Sequence, residues 1–93
     1  MSTKIDFEIF AEIDLNLTVI CLIVYKEQDL ARAALKLGVS RLFILEALED
    51  LRTHFGYPLF ETIDYSIQPT VNGSKVLQFL MPLANVIEPI LGP

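Results

Sequence analysis

A chain of 93 residues holds one modest core and leaves no room for a second, ligand-binding domain. Hydrophobic residues make up 53% and charged residues 20%, which excludes a disordered tail or a low-complexity segment. The net charge of −5 is opposite in sign to the basic balance that nucleic-acid binders usually carry.

Residues 1–13 read as an acidic lead, with Lys4 against Asp6, Glu8 and Glu12. Ile5, Phe7, Ile9 and Phe10 could pack this lead on the body. It has no basic stretch followed by an apolar core, so it does not read as a secretion signal. Asp14 can cap a helix over Leu15 to Glu27. Leu15, Val19, Leu22 and Ile23 share one face of it, and Leu17, Ile20 and Val24 make a second. A helix apolar nearly all round is central or shared with a partner. Its greasiest stretch, Leu15 to Tyr25, is about half the ~20 residues that a bilayer needs, so no membrane partner is expected.

Asp29 can cap a short helix over Leu30 to Leu37, whose Ala31, Ala33 and Ala34 permit close packing. Gly38 stands where a left-handed residue ends a helix. After Val39, Ser40 can cap a third helix, Arg41 to about Phe55, with Ile44, Leu48, Leu51 and Phe55 as its buried stripe. Gly56 stops it. Leu59 to Ile63 and Tyr65 to Gln68, with a turn at Asp64, predict a small two-stranded wing. Thr70 can cap a fourth helix from Val71, with Val76, Leu77, Leu80, Leu83, Ala84 and Ile87 as a long apolar face. Pro82 should kink that helix and Pro89 should end it.

The order is helix, short helix, glycine turn, helix, hairpin. It predicts a mainly α, winged helix-turn-helix fold: a lead over 1–13, the winged domain over 14–69, and a long C-terminal linker helix over 70–93.

The residues also resemble a family. Ile13 to Leu17 is similar to the opening of LysR-type transcription regulators, and Leu30 to Ser40 (LARAALKLGVS) to their helix-turn-helix. Leu51 to Phe60 (LRTHFGYPLF) is similar to the end of their recognition helix and the start of the wing, and Thr70 to Gly73 to the start of the linker helix. The likeness runs over residues 13 to 88, in the flavour of the nodulation-regulator and LeuO-like branch. It implies a cytoplasmic regulator that dimerises through its linker helix and offers recognition helices to the DNA major groove. Members of the family normally add an effector-binding domain after the linker.

Two surfaces compete for the function. The DNA-binding candidates are Arg32, Lys36, Ser40, Arg41 and Arg52, with Arg41 best placed to read a base at the start of the third helix. The same cations could instead be solvated charges pairing with Asp29, Glu46 and Glu49. Against DNA, Leu42, Leu45, Glu46 and Glu49 point outward where the family carries polar or basic residues, and Glu61 to Ser66 lacks the family's wing arginines. Leu42 and Leu45 with Glu46 and Glu49 form an apolar, acid-rimmed candidate face for a protein, and the alternative function is that of a non-DNA-binding relative that binds another protein through this face or its dimer helix: a heterodimer partner of a related regulator, an anti-regulator or a DNA mimic. Val76, Leu80, Leu83, Ala84 and Ile87 are the candidate dimer face.

Cys21 and His54 are the single cysteine and histidine. They can build neither an internal disulfide nor a metal site, and a buried Cys21 fits a reducing compartment. The carboxylates are scattered, with no nucleophile, base and orienter in reach of one another. Neither an enzyme nor a cofactor or small-molecule site is expected.

Overall fold

The computed structural model describes residues 15–64 and 66–91, leaving out the side chains of Leu15, Ala84 and 86–91. The expected capping at Asp14 and the packing of the lead lie outside the described residues.

Four helices and one hairpin follow in the predicted order: α1 (Leu15–Glu27), α2 (Leu30–Leu37), α3 (Arg41–Phe55), β1 (Phe60–Ile63), β2 (Ser66–Pro69) and α4 (Val71–Leu91). The strands pair antiparallel, Phe60 opposite Pro69 and Ile63 opposite Ser66. Asp64 takes a φ of 55° at their connection, a left-handed conformation that aspartate tolerates better than most residues. Gln28, at φ 54°, turns the chain out of α1. Its carbonyl then accepts from the Ile67 N–H at 3.2 Å and ties the α1–α2 junction to the wing.

α1 is central. Ile20, Cys21, Leu22, Ile23 and Val24 are all buried, and the helix packs against α2, α3, α4 and β2. The described residues of both its apolar faces, Val19, Leu22 and Ile23 on one and Leu17, Ile20 and Val24 on the other, pack in or against the core. The buried stripe of α3 differs from expectation in one place. Ile44, Ala47, Leu51 and Phe55 are buried, whereas Leu48 is only half-buried. The helix is rotated so that small Ala47 faces α1, which lets the two backbones approach.

α4 corrects two expectations. Its backbone stays helical through Pro82 and Pro89 to Leu91, so Pro89 does not end it. Each proline removes one N–H from the ladder, toward the carbonyls of Gln78 and Asn85, and the neighbouring bonds hold the helix across the gap. Val76 and Leu80, expected on the dimer face, are buried in the chain's own core with Leu77. Val76, Leu77 and Leu80 lie three, four and seven residues after Gly73, on the face that meets α1 and the wing.

The start of α4 is locked to the base of the wing. The Thr70 N–H donates to the Leu59 carbonyl at 2.9 Å, and its hydroxyl donates to the Pro58 carbonyl at 2.7 Å. The same hydroxyl oxygen caps the helix by accepting from the Gly73 N–H at 2.9 Å. A Cβ on Gly73 would stand 1.8 Å from the Leu59 carbonyl oxygen, so only glycine fits that contact.

Candidate nucleic-acid interface

The helix-turn-helix is built from three local devices. The Asp29 carboxylate accepts from the Arg32 N–H at 2.9 Å and starts α2. Gly38, at φ 70°, ends α2 in the left-handed conformation, and the Val39 N–H reaches the Ala34 carbonyl at 3.1 Å. The Ser40 Oγ then accepts from the Phe43 N–H at 3.0 Å and starts α3. Buried Ala33 and Ala34 bring α2 close to the core. The result presents Ser40, Arg41 and Leu42, all exposed, at the N-terminal end of α3. An open cleft of about 570 Å³, lined by Ala31, Ala34, Leu35, Val39 and Arg41, runs beside them.

The five expected DNA contacts do not stand alike. Ser40 is committed to its cap but keeps its place at the rim of the cleft. Arg41 is exposed, with no ion pair to any described residue. Arg32 and Lys36 lie one turn apart on α2; Lys36 is half-buried, and Arg32 is exposed with Nε 3.7 Å from a Glu27 carboxylate oxygen. Arg52 is held within its own helix: Nε donates to Glu49 Oε2 at 2.8 Å, and Nη2 meets the same oxygen. This hydrogen bond draws the Glu49 carboxyl below its usual range and raises the Arg52 guanidinium. The pairing of Arg52 with Glu49 offsets part of its charge on the outer face. Of the other expected cations, Arg32 and Lys36 on α2 and Arg41 at the start of α3 stand on either side of the α2–α3 turn.

The rest of α3's surface is apolar and acidic. Leu42 is 63% exposed, Phe43 49% and Leu45 42%, while Glu46 and Glu49 also face solvent. Leu35, at 83%, extends the apolar patch onto α2. Phe43 was not among the expected surface residues. Its position one residue before Ile44 places it about 100° off the buried stripe, which is the signal that identifies it. The wing adds exposed Glu61, Thr62, Ile63 and Asp64 and no basic side chain among its described residues.

The remaining singled-out residues are structural. Cys21 is fully buried, and desolvation pushes its thiol up to about 12. His54 is half-buried at the end of α3, its ring edge-on to Phe55 at 5.0 Å. Among the described residues no group of His, Cys, Asp and Glu could hold a metal ion. None of their helices is long and apolar enough to cross a membrane.

With helix-turn-helix, wing and linker helix in place, the chain is a winged helix-turn-helix domain. No protein-family model matches it, and no curated protein matches it either. Solved structures do. The probable transcriptional regulator PA0477 of Pseudomonas aeruginosa superposes with a TM-score of 0.76 at 23% identity, over 90% of this chain and 28% of that one. OxyR of Corynebacterium glutamicum gives 0.71 at 26% identity, over 84% and 24%. The DNA-binding domain of CbnR, solved in complex with DNA, gives 0.72 at 21% identity, over 81% and 86%. CbnR is a LysR family transcriptional regulator. The fold is thus that of the N-terminal winged helix domain of LysR-type regulators. The chain spans about a quarter of the full-length regulators and most of an isolated DNA-binding domain.

Proposed function

We propose that the chain is a transcription-regulatory module that acts as a dimer, in a cytoplasmic setting, and touches DNA through the α2–α3 edge. The observation that carries this reading is the intact helix-turn-helix: capped at Asp29 and Ser40, turned at Gly38, and superposable on a domain solved with DNA bound. Arg41 enters the groove from the start of α3, while Arg32 and Lys36 meet phosphates. With Arg52 tied to Glu49 and no wing cations, binding is weak and its salt dependence shallow. At about 0.9 per phosphate contact, the two phosphate-facing cations give a slope of about −2 per protomer in log K against log salt. Alanine at Arg41 should reduce affinity for duplex DNA without unfolding the domain. Unchanged affinity in that variant refutes this contact.

Dimerisation belongs to the part of α4 whose apolar side chains stay exposed. Phe79 is 62% exposed and Leu83 41%, and four-residue spacing puts them on one face. Of the five residues expected there, Leu83 is exposed on this face, and the side chains of Ala84 and Ile87 lie outside the described residues. Sedimentation should give a dimer that Phe79→Asp with Leu83→Asp turns into a folded monomer. A wild-type monomer at high micromolar concentration contradicts this.

A second reading is favoured by exposed Leu42 and Leu45 beside Glu46 and Glu49. This surface suits a protein, such as a related regulator caught in a heterodimer, better than a polyanion. A folded dimer that binds no duplex would favour it.

A further inference from the structure

A third feature of α3 lies away from the DNA-facing edge: it shares Phe43 and Glu46 with the outer face and turns toward α1. Phe43, Glu46, Ala47 and Asp50 follow at spacings of three, four and seven, so they share one flank of the helix. Arg41, Leu45 and Arg52 occupy the opposite flank. Against α1, the Phe43 flank forms a groove of about 270 Å³. Its floor is buried Ile20 and Ala47, and half-buried Leu17 and half-exposed Phe43 stand along its sides. Glu46 and Asp50 line its rim, exposed and one turn apart. Like charges four residues apart on a helix repel. Among the described residues, no basic side chain pairs with either.

We propose that this groove docks a short, basic and apolar segment of a partner protein. One or two apolar side chains of the segment fill the floor, and a lysine or arginine bridges Glu46 and Asp50. The volume is below the roughly 300–1,000 Å³ of small-molecule sites, which favours side-chain anchors over a cofactor. Charge selects the occupant. The chain's own lead carries Asp6, Glu8 and Glu12 against a single Lys4, and a second copy carries a net charge of −5, so both would bring net negative charge to an acidic rim. A cationic partner removes the repulsion and covers the exposed Phe43 ring, which also offers a cation–π contact. This site stands independently of the DNA reading, since it uses the other side of α3.

The test uses the full chain and a fluorescein-labelled helical peptide of about four turns, with leucines at i, i+3, i+4 and i+7 and lysines and arginines between them. One control peptide replaces the cations by glutamate; another replaces the leucines by alanine. The basic, leucine-bearing peptide should bind in anisotropy titrations, and both controls should bind at least about tenfold more weakly. Glu46→Lys with Asp50→Lys, or Phe43→Ala, should weaken the first peptide by about tenfold. These side chains are exposed, so circular dichroism should show an unchanged fold. Arg41→Ala should leave peptide binding intact while reducing DNA binding, which separates this site from the proposed DNA edge. Equal binding of any control, no binding below about 1 mM, or indifference to the charge reversal overturns the proposal. So does a change of oligomeric state in the charge-reversed chain, or movement of the NMR signals of residues 1–13, because each identifies a different occupant.

Discussion

Replacing Gly73 by alanine should destabilise the domain, although alanine is the better helix former. In an exposed helix interior the exchange would stabilise by about 1 kcal/mol. Here the added Cβ would stand 1.8 Å from the Leu59 carbonyl oxygen and 2.7 Å from its carbon. The contact is with backbone, so no side chain can swing away. α4 and the base of the wing must separate by well over an ångström. Overpacking of this kind costs about 1–3 kcal/mol. The separation also stretches the 2.9 Å bond from the Thr70 N–H to Leu59 and the 2.7 Å bond from its hydroxyl to Pro58, at about 1 kcal/mol each. The net loss is about 3 kcal/mol, which lowers Tm by about 12–24 °C in a domain of this size. Thermal and urea unfolding followed by circular dichroism measure it, with Asn72→Ala, exposed in the same turn, as the neutral control. A Gly73→Ala chain as stable as the wild type would refute the close approach of α4 to the wing.

Ser40→Ala removes the cap of α3 and should cost about 1 kcal/mol of stability in urea unfolding; a cost near zero would show that Ser40 is not the cap. Glu49→Gln releases Arg52, so DNA affinity at low salt should rise and the salt slope should steepen by about one. An unchanged slope would mean that Arg52 does not reach phosphate. Cys21 should resist thiol reagents at pH 8 in the native chain and react once urea unfolds it. Its thiol is raised from 9.0 to about 12 by burial, so its contribution to stability is present below about pH 9 and is lost as pH rises toward 12. Cys21→Ala should flatten the pH dependence of urea midpoints across that window, and an identical dependence would contradict the burial of the thiol.

The helix-turn-helix was legible because its signals are local. Asp29, Gly38 and Ser40 each act within four residues of themselves, and each does in space what its position in the chain implies. The wing followed for the same reason. What sequence could not supply was which apolar residues the body would cover. The stripe from Val76 to Ile87 looks continuous, yet Val76 and Leu80 meet α1 and the wing while Leu83 lies past the body's edge. That division depends on how far the small core reaches along a 21-residue helix. Pro89 misled because a proline breaks a helix only when the surrounding bonds cannot span the missing one. In the candidate site, the i,i+3 spacing of Glu49 and Arg52 made their pairing readable. The groove beside Phe43 was not readable, because one wall of it comes from α1, more than twenty residues earlier in the chain.

The most direct test is a fluorescence-anisotropy titration of the purified chain with a generic DNA duplex at low salt, repeated as salt is raised. Saturable binding that weakens with a slope of about −2 per protomer, and that Arg41→Ala reduces, is the predicted result. No binding at tens of micromolar by a folded, dimeric chain would contradict direct DNA contact and leave the apolar-acidic faces of α3 to carry the function.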